Sequence, residues 1–147
     1  MGRILVVDDH DSLRKGLVRA LNNAGHDVEE AANGTAASIS LTNVTIGNGV
    51  ISIGDGAFSF CTNLTRVTLG DRVINIGVDA FEYCTGLTSL TLPDSATRIG
   101  DDAFSFCTSL NQMTMGNGVT NIGCSAFDSC ISLTNVMIPR SVTRIGD

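Results

Sequence analysis

From Leu41 onward, apolar and polar positions recur with a period of 23 residues, in copies 41–63, 64–86, 87–109 and 110–132 and a partial copy at 133–147. The strings "LTRVTLGDRVINIGVDAFEYCTG" and "LTSLTLPDSATRIGDDAFSFCTS" show the pattern, and no gap separates one copy from the next. Each copy opens with a segment such as "LTNVTI", apolar at its first, fourth and sixth positions, which predicts a short strand with one face inward. Gly47, Gly70, Pro93, Gly116 and Pro139 break that strand. A second extended piece follows ("VISIG", "VINIG"). Its glycine, at 54, 77, 100, 123 and 146, either takes a positive φ or lets two backbones approach closely. "AFSFCTN" then returns as an apolar arc, helical or irregular. The Phe columns are assigned to the core, as is the column Cys61, Cys84, Cys107 and Cys130. One copy cannot bury its apolar side chains alone, so the copies are expected to stack as the coils of a solenoid with parallel sheets.

The first 40 residues follow a different pattern. "ILVV" is apolar throughout, as in a strand buried on both faces, and it runs into Asp8 and Asp9. Leu13, Leu17, Ala20, Leu21 and Ala24 fall on one face of a helix. Asp11 or Ser12 suits its start and Gly25 its end. "HDVEEAA" reads as a second strand. The chain therefore divides into a strand–helix–strand fragment, 1–40, and a repeat array, 41–147. "ILVVD" is expected to lie parallel to "LTNVTI", so that the fragment caps the repeat core.

The repeats resemble leucine-rich repeats of the BspA type, with their "L..L.LP..V..IG..AF..C..L" pattern. The resemblance implies a right-handed solenoid and, for many members, a surface that binds proteins. "MGRILVVDDHDSLRKGLVRALNNAGHDVEEAANG" resembles the opening of a response-regulator receiver domain, a flavodoxin-like fold. That resemblance implies that Asp8 and Asp9 stand where receivers hold Mg²⁺. It also requires a phosphoacceptor Asp, a later Ser or Thr and a later Lys. The receiver pattern stops near Ala36, and the only lysine is Lys15. The fold class expected is α/β: a receiver-like fragment capping a leucine-rich-repeat solenoid, in a recombined or engineered chimera.

Charge narrows the function. Nine Lys and Arg against fifteen Asp and Glu give a net charge of −6, with no basic stripe for nucleic acid or an anionic membrane. No apolar run is long enough to span a bilayer. Met1-Gly2-Arg3 leads into no secretion signal, and five cysteines without a CxxC pair suit free thiols, so a cytoplasmic protein is expected. Cys124 lies outside the cysteine column, in a mostly acidic one, and is expected to be exposed. No column carries a catalytic set, so no enzyme, catalytic residue or cofactor is expected. Asp8 and Asp9, with Asn48 and Asp71 as neighbours, are read either as a site for Mg²⁺ or Ca²⁺ or as solvated remnants of an ancestral one. Asp55 shares a column with Val78, Asp101, Cys124 and Asp147 and reads as a turn residue. A protein partner is expected on the open sheet face formed by Asn43, Thr45, Arg66, Thr68, Ser89, Thr91, Gln112 and Thr114. The alternative function is a two-component signalling protein with a Mg-dependent phosphoacceptor. The last copy, with Leu133, Val136, Ile138, Val142 and Ile145, is expected to self-associate through its uncapped end.

Overall fold

A computed structural model of the protein describes the backbone of Arg3–Val7 and Asp27–Ala31 and all of residues 41–147. The two early segments are strands, β1 (Arg3–Val7) and β2 (Asp27–Ala31). They pair in parallel, with Leu5 opposite Glu29. Both strands expected in the fragment are thus present. The helix expected between them, with Leu13, Leu17, Ala20, Leu21 and Ala24, lies outside the described residues, as do Asp8 and Asp9. The expected junction is not formed by strand pairing. β1 and β2 make a sheet of two, and "ILVVD" does not pair with "LTNVTI".

The repeats contribute two strands per coil. The first series is β3 (Asn43–Thr45), β5 (Arg66–Thr68), β7 (Ser89–Thr91), β9 (Gln112–Thr114) and β11 (Val136–Met137). The second is β4 (Ser52–Ile53), β6 (Asn75–Ile76), β8 (Arg98–Ile99), β10 (Asn121–Ile122) and β12 (Arg144–Ile145). Each series forms a five-stranded parallel sheet in chain order. Pairing links equivalent residues of adjacent coils, as in Val44 with Val67, Leu90 with Met113, and Ile76 with Ile99. The apolar residue at the centre of "RVT", "SLT" and "QMT" turns inward and its neighbours turn out, because side chains alternate along a strand.

The core runs along the stack. Leu64, Leu87 and Leu110 at the head of successive coils are fully buried, as are Val73, Ile76 and Ile99. Burial thins at both ends: Val44 and Val136 are half-buried, and Ile145 is exposed. The glycine after the second strand serves close approach, not positive φ. A Cβ on Gly100 would stand 2.5 Å from the carbonyl carbon and oxygen of Gly77 in the coil before.

The arc "AFSFCTN" is a run of tight turns. The Cys61 N–H donates to the Phe58 carbonyl at 3.1 Å, and Leu64 to Cys61 at 3.0 Å. The arcs also hydrogen-bond to each other, Phe58 N–H to Ala80 carbonyl and Phe60 N–H to Glu82 carbonyl, both at 2.8 Å. Among the described residues there are strands and turns and no helix, so the repeat part of the expected α/β architecture is all-β.

Candidate binding surface

The outward residues of the first sheet make one continuous polar face. Asn43, Arg66 and Gln112 are exposed and Ser89 is half-buried; beside them Thr45, Thr68, Thr91 and Thr114 are all exposed. The structure therefore gathers the sequence-predicted surface residues on one face. A depression of about 420 Å³ lies between the second and third coils, where Arg66, Thr68 and Asp71 meet Ser89, Thr91 and Pro93. A guanidinium, a carboxylate and three hydroxyls there offer both donors and acceptors to a ligand backbone.

The columns beside that face have structural roles. Asn48 Oδ1 accepts the Asp71 N–H at 3.0 Å, so the amide expected to neighbour Asp8 and Asp9 closes a contact between two coils. Asp94 does the same for Asn117 at 2.7 Å. Asp55 accepts the Val78 N–H at 2.8 Å and Asp101 the Cys124 N–H at 2.9 Å, in keeping with a turn role for that column. These carboxylates satisfy backbone donors that a coil edge would otherwise leave open.

The cysteine column packs inside. Cys61, Cys84 and Cys107 are buried, Cys130 is half-buried, and all five cysteines are free thiols. The Cys107 thiol donates to the Phe81 carbonyl of the previous coil at 3.2 Å, and Cys84 and Cys130 repeat the contact. Burial pushes the Cys61 and Cys130 thiols up to about 11 and Cys107 to about 12. Cys84 is raised as well, first by burial and then by Cys107 and Cys61. Such thiols are poor nucleophiles, because the thiolate is the reactive form. Cys124 is exposed, as its column predicts.

The aromatic columns divide. Phe58, Phe81, Phe104 and Phe127 stack in the core at centroid distances of 5.1, 5.3 and 5.4 Å. Assigning every Phe column to the core is incorrect, however. Two residues further along, Phe60, Tyr83 and Phe106 form a second stack on the outside of the arc, at 4.8 and 4.4 Å with planes within 6°. Phe60 is 50 % exposed. The split arises because the left-handed backbone angle at the second ring turns it away from the core.

The outer rings also sit at an unfavourable backbone angle. Phe60, Tyr83, Phe106 and Ser129 have φ of 60°, 55°, 57° and 54°. Bulky side chains are outliers in this left-handed region, at a cost of about 1–2 kcal/mol each. Beside the rail, burial and the neighbouring Asp79 and Asp102 raise the Glu82 carboxyl, while the Ser59 hydroxyl, donating at 3.4 Å, opposes the rise. The rail escapes sequence reasoning because φ is not visible in "AFSFC". The available signal is the repeated ring–x–ring spacing, with Ser129 in the fourth copy.

The BspA type leucine rich repeat region matches residues 33–147 in six copies. The chain belongs to the BspA-type leucine-rich repeat family. The match begins ahead of Leu41, and the sequence shows why: "ISLTNV" at 39–44 recurs unchanged at 131–136, so the repeat signal reaches back into the segment assigned to the first domain. The leucine rich repeat protein of T. pallidum is 34% identical, with a TM-score of 0.70 over 72% of this chain and 52% of that one. A leucine rich cell surface protein of Faecalibacterium prausnitzii is 28% identical, with a TM-score of 0.57 over 97% of this chain and 38% of that one. The chain thus spans about half the length of the first and less of the second. Among curated proteins none matches. No helix of the described residues is long and apolar enough to cross a membrane.

Proposed function

We propose that the chain is a non-enzymatic repeat scaffold whose first sheet binds a protein partner along Asn43, Thr45, Arg66, Thr68, Ser89, Thr91, Gln112 and Thr114. The observation that carries this reading is the continuity of that face over four coils, with the depression at Arg66 and Thr91 near its middle. Ladder pairing holds the face rigid, so little order has to be gained on binding. In this reading the solenoid winds right-handed, and residues 1–40 are a receiver-derived cap without phosphotransfer, the product of recombination or engineering. Asp8 and Asp9 are then remnants, although a bound Mg²⁺ or Ca²⁺ would be compatible with them. Deleting residues 1–36 tests the cap: a repeat array that melts unchanged would mark the fragment as a passenger.

Five unpaired cysteines favour a reducing compartment and hence the cytoplasm. The F. prausnitzii relative, a cell surface protein by name, sets the opposite expectation, and fractionation of the source cells decides between them. To test the binding face, a photo-cross-linker is placed at Thr91 and, as control, at Arg98 on the second sheet. A partner captured from Thr91, and lost with Thr68→Lys, supports the face. Equal capture from Arg98 refutes it.

A further inference from the structure

The outer aromatic rail, exposed at Phe60 and half-buried at Tyr83 and Phe106, is not required by the turn that carries it. Ser129 adopts the same left-handed turn, with φ of 54° in the fourth coil, so the turn does not need a ring. Glycine would suit the angle best. Three successive coils nevertheless place Phe60, Tyr83 and Phe106 there, stacked face to face. Residues held against their backbone preference at a surface point to function.

The surroundings define what the rail can hold. Segments 55–61, 78–84, 101–107 and 124–130, which form the arcs, contain six carboxylates and no lysine or arginine. The five arginines of the repeats, Arg66, Arg72, Arg98, Arg140 and Arg144, all lie on the strands or in the turns between them. Asp79 and Asp102 both lie close enough to Glu82, the neighbour of Tyr83, to help raise its carboxyl. An apolar strip framed by carboxylates, with no cationic side chain on the same arcs, fits side chains with an apolar stem and a cationic head. Lys and Arg lay their methylenes along such a strip and carry the charge to its edge. A second copy meeting it rail to rail would bring carboxylates against carboxylates.

We propose that Phe60, Tyr83 and Phe106 form a docking rail for an extended lysine- or arginine-bearing segment of a protein partner, with Asp79, Glu82 and Asp102 receiving the cationic heads. The site is separate from the sheet face proposed above.

The rail carries its own reporter, because Tyr83 is the only tyrosine and the chain has no tryptophan. The full chain is titrated with hexa-arginine while Tyr83 emission is followed, with hexa-glutamate and a Gly-Ser hexapeptide as controls. The expected result is a saturable change with hexa-arginine alone. Phe60→Gly combined with Phe106→Gly relieves the backbone angle while removing two rings. It should weaken binding by about tenfold or more, equivalent to ~1.4 kcal/mol. Phe60→Ser with Phe106→Ser, the residue found at 129, is the second variant should the first not fold. Glu82→Gln should weaken binding by about threefold, the worth of one exposed charge pair. Thr68→Lys on the sheet face should leave the titration within about twofold, so failure of one site is distinguishable from failure of the other. Three results would overturn the proposal: no saturation by about 1 mM hexa-arginine; ring-free variants that bind as the parent does, which would make the attraction charge alone; or a dimer in sedimentation that disappears with the rings.

Discussion

Replacing Phe81 by alanine should cost the array far more than the same change at Phe127, and the difference can be worked from their neighbours. Phe81 is fully buried and stacks on Phe58 at 5.1 Å and on Phe104 at 5.3 Å. Its removal leaves a ring-sized cavity between two coils that glycine contacts hold together. Phe→Ala in a core costs about 3–5 kcal/mol, and two ring pairs of ~0.5–1.5 kcal/mol each put this site at the upper end. Phe127 stacks only on Phe104, at 5.4 Å, and is half-buried. One ring pair and partial burial give about 2–3 kcal/mol there. The measurement is urea unfolding followed by circular dichroism. With a slope of ~1–3 kcal/mol per molar urea, the midpoints of the two variants should differ by about 1 M. The coils would then behave as a nearest-neighbour chain, in which an inner coil contributes two interfaces and an outer one fewer. Equal losses at the two sites, or a larger loss at Phe127, would refute that reasoning.

Gly100→Ala should destabilise by about 1–3 kcal/mol, because the added carbon meets the Gly77 backbone, whereas Gly54→Ala, with nothing within 4 Å of its added carbon, should stay within about 0.5 kcal/mol; thermal melts compare them. Native-state labelling should modify Cys124 first and the buried column slowly, as read by mass spectrometry. The buried thiols are held neutral, so their stabilising contribution is complete below the ordinary thiol range of about 8.5. It is lost as pH rises towards the raised values of about 11 and 12, since the unfolded chain ionises first. Unfolding midpoints should therefore fall from about pH 9 upward, and less steeply in Cys107→Ala. Treatment with acetyl phosphate should add no phosphoryl group; a mass gain abolished by Asp55→Asn would revive the receiver reading. Asp55→Asn keeps an acceptor for the Val78 N–H and should be close to neutral, whereas Asp55→Ala should cost about 1 kcal/mol in chemical unfolding.

The repeat fold is legible in the sequence because every environment is sampled once per coil. Val67, Leu90 and Met113 share one inward position and Ile53, Ile76, Ile99 and Ile122 another, so a single misread residue is corrected by its equivalents. The cysteines follow the same logic: a column among apolar residues turns out to be buried. The polar sheet face is legible too, since alternation along "RVT" or "SLT" leaves only one side for Arg66 or Thr91. The outer rail is not, because Phe58 and Phe60 are chemically alike, and only the left-handed angle at Phe60 decides which of them leaves the core. The junction between "ILVVD" and the repeats is not legible for a different reason. Parallel pairing leaves little trace in composition, and β2 is as suitable a partner for β1 as β3 is.

In a stack, a column's uniformity shows what the fold requires, and a broken column shows where the fold leaves choice. Leucine at 64, 87 and 110 is uniform because each side chain is fully buried at the head of its coil. The column of Asp55, Val78, Asp101 and Cys124 is broken, and the hydrogen bonds give the reason: Asp55 and Asp101 accept from the coils that follow them, so Val78 and Cys124 need offer only a backbone N–H. Alternate coils supply that acceptor, and Asn48 and Asp94 follow the same alternation. That break is therefore explained within the fold. The ring column breaks differently, with aromatic side chains at 60, 83 and 106 and serine at 129, while the backbone angle stays the same. Among the described residues the fourth coil differs in that the Ser129 hydroxyl donates to Asp128 at 3.0 Å, where the first three coils stack rings. The choice left open by the fold has been used three times in succession for the same chemistry, and a surface that repeats with the coil spacing is suited to a ligand that is itself extended.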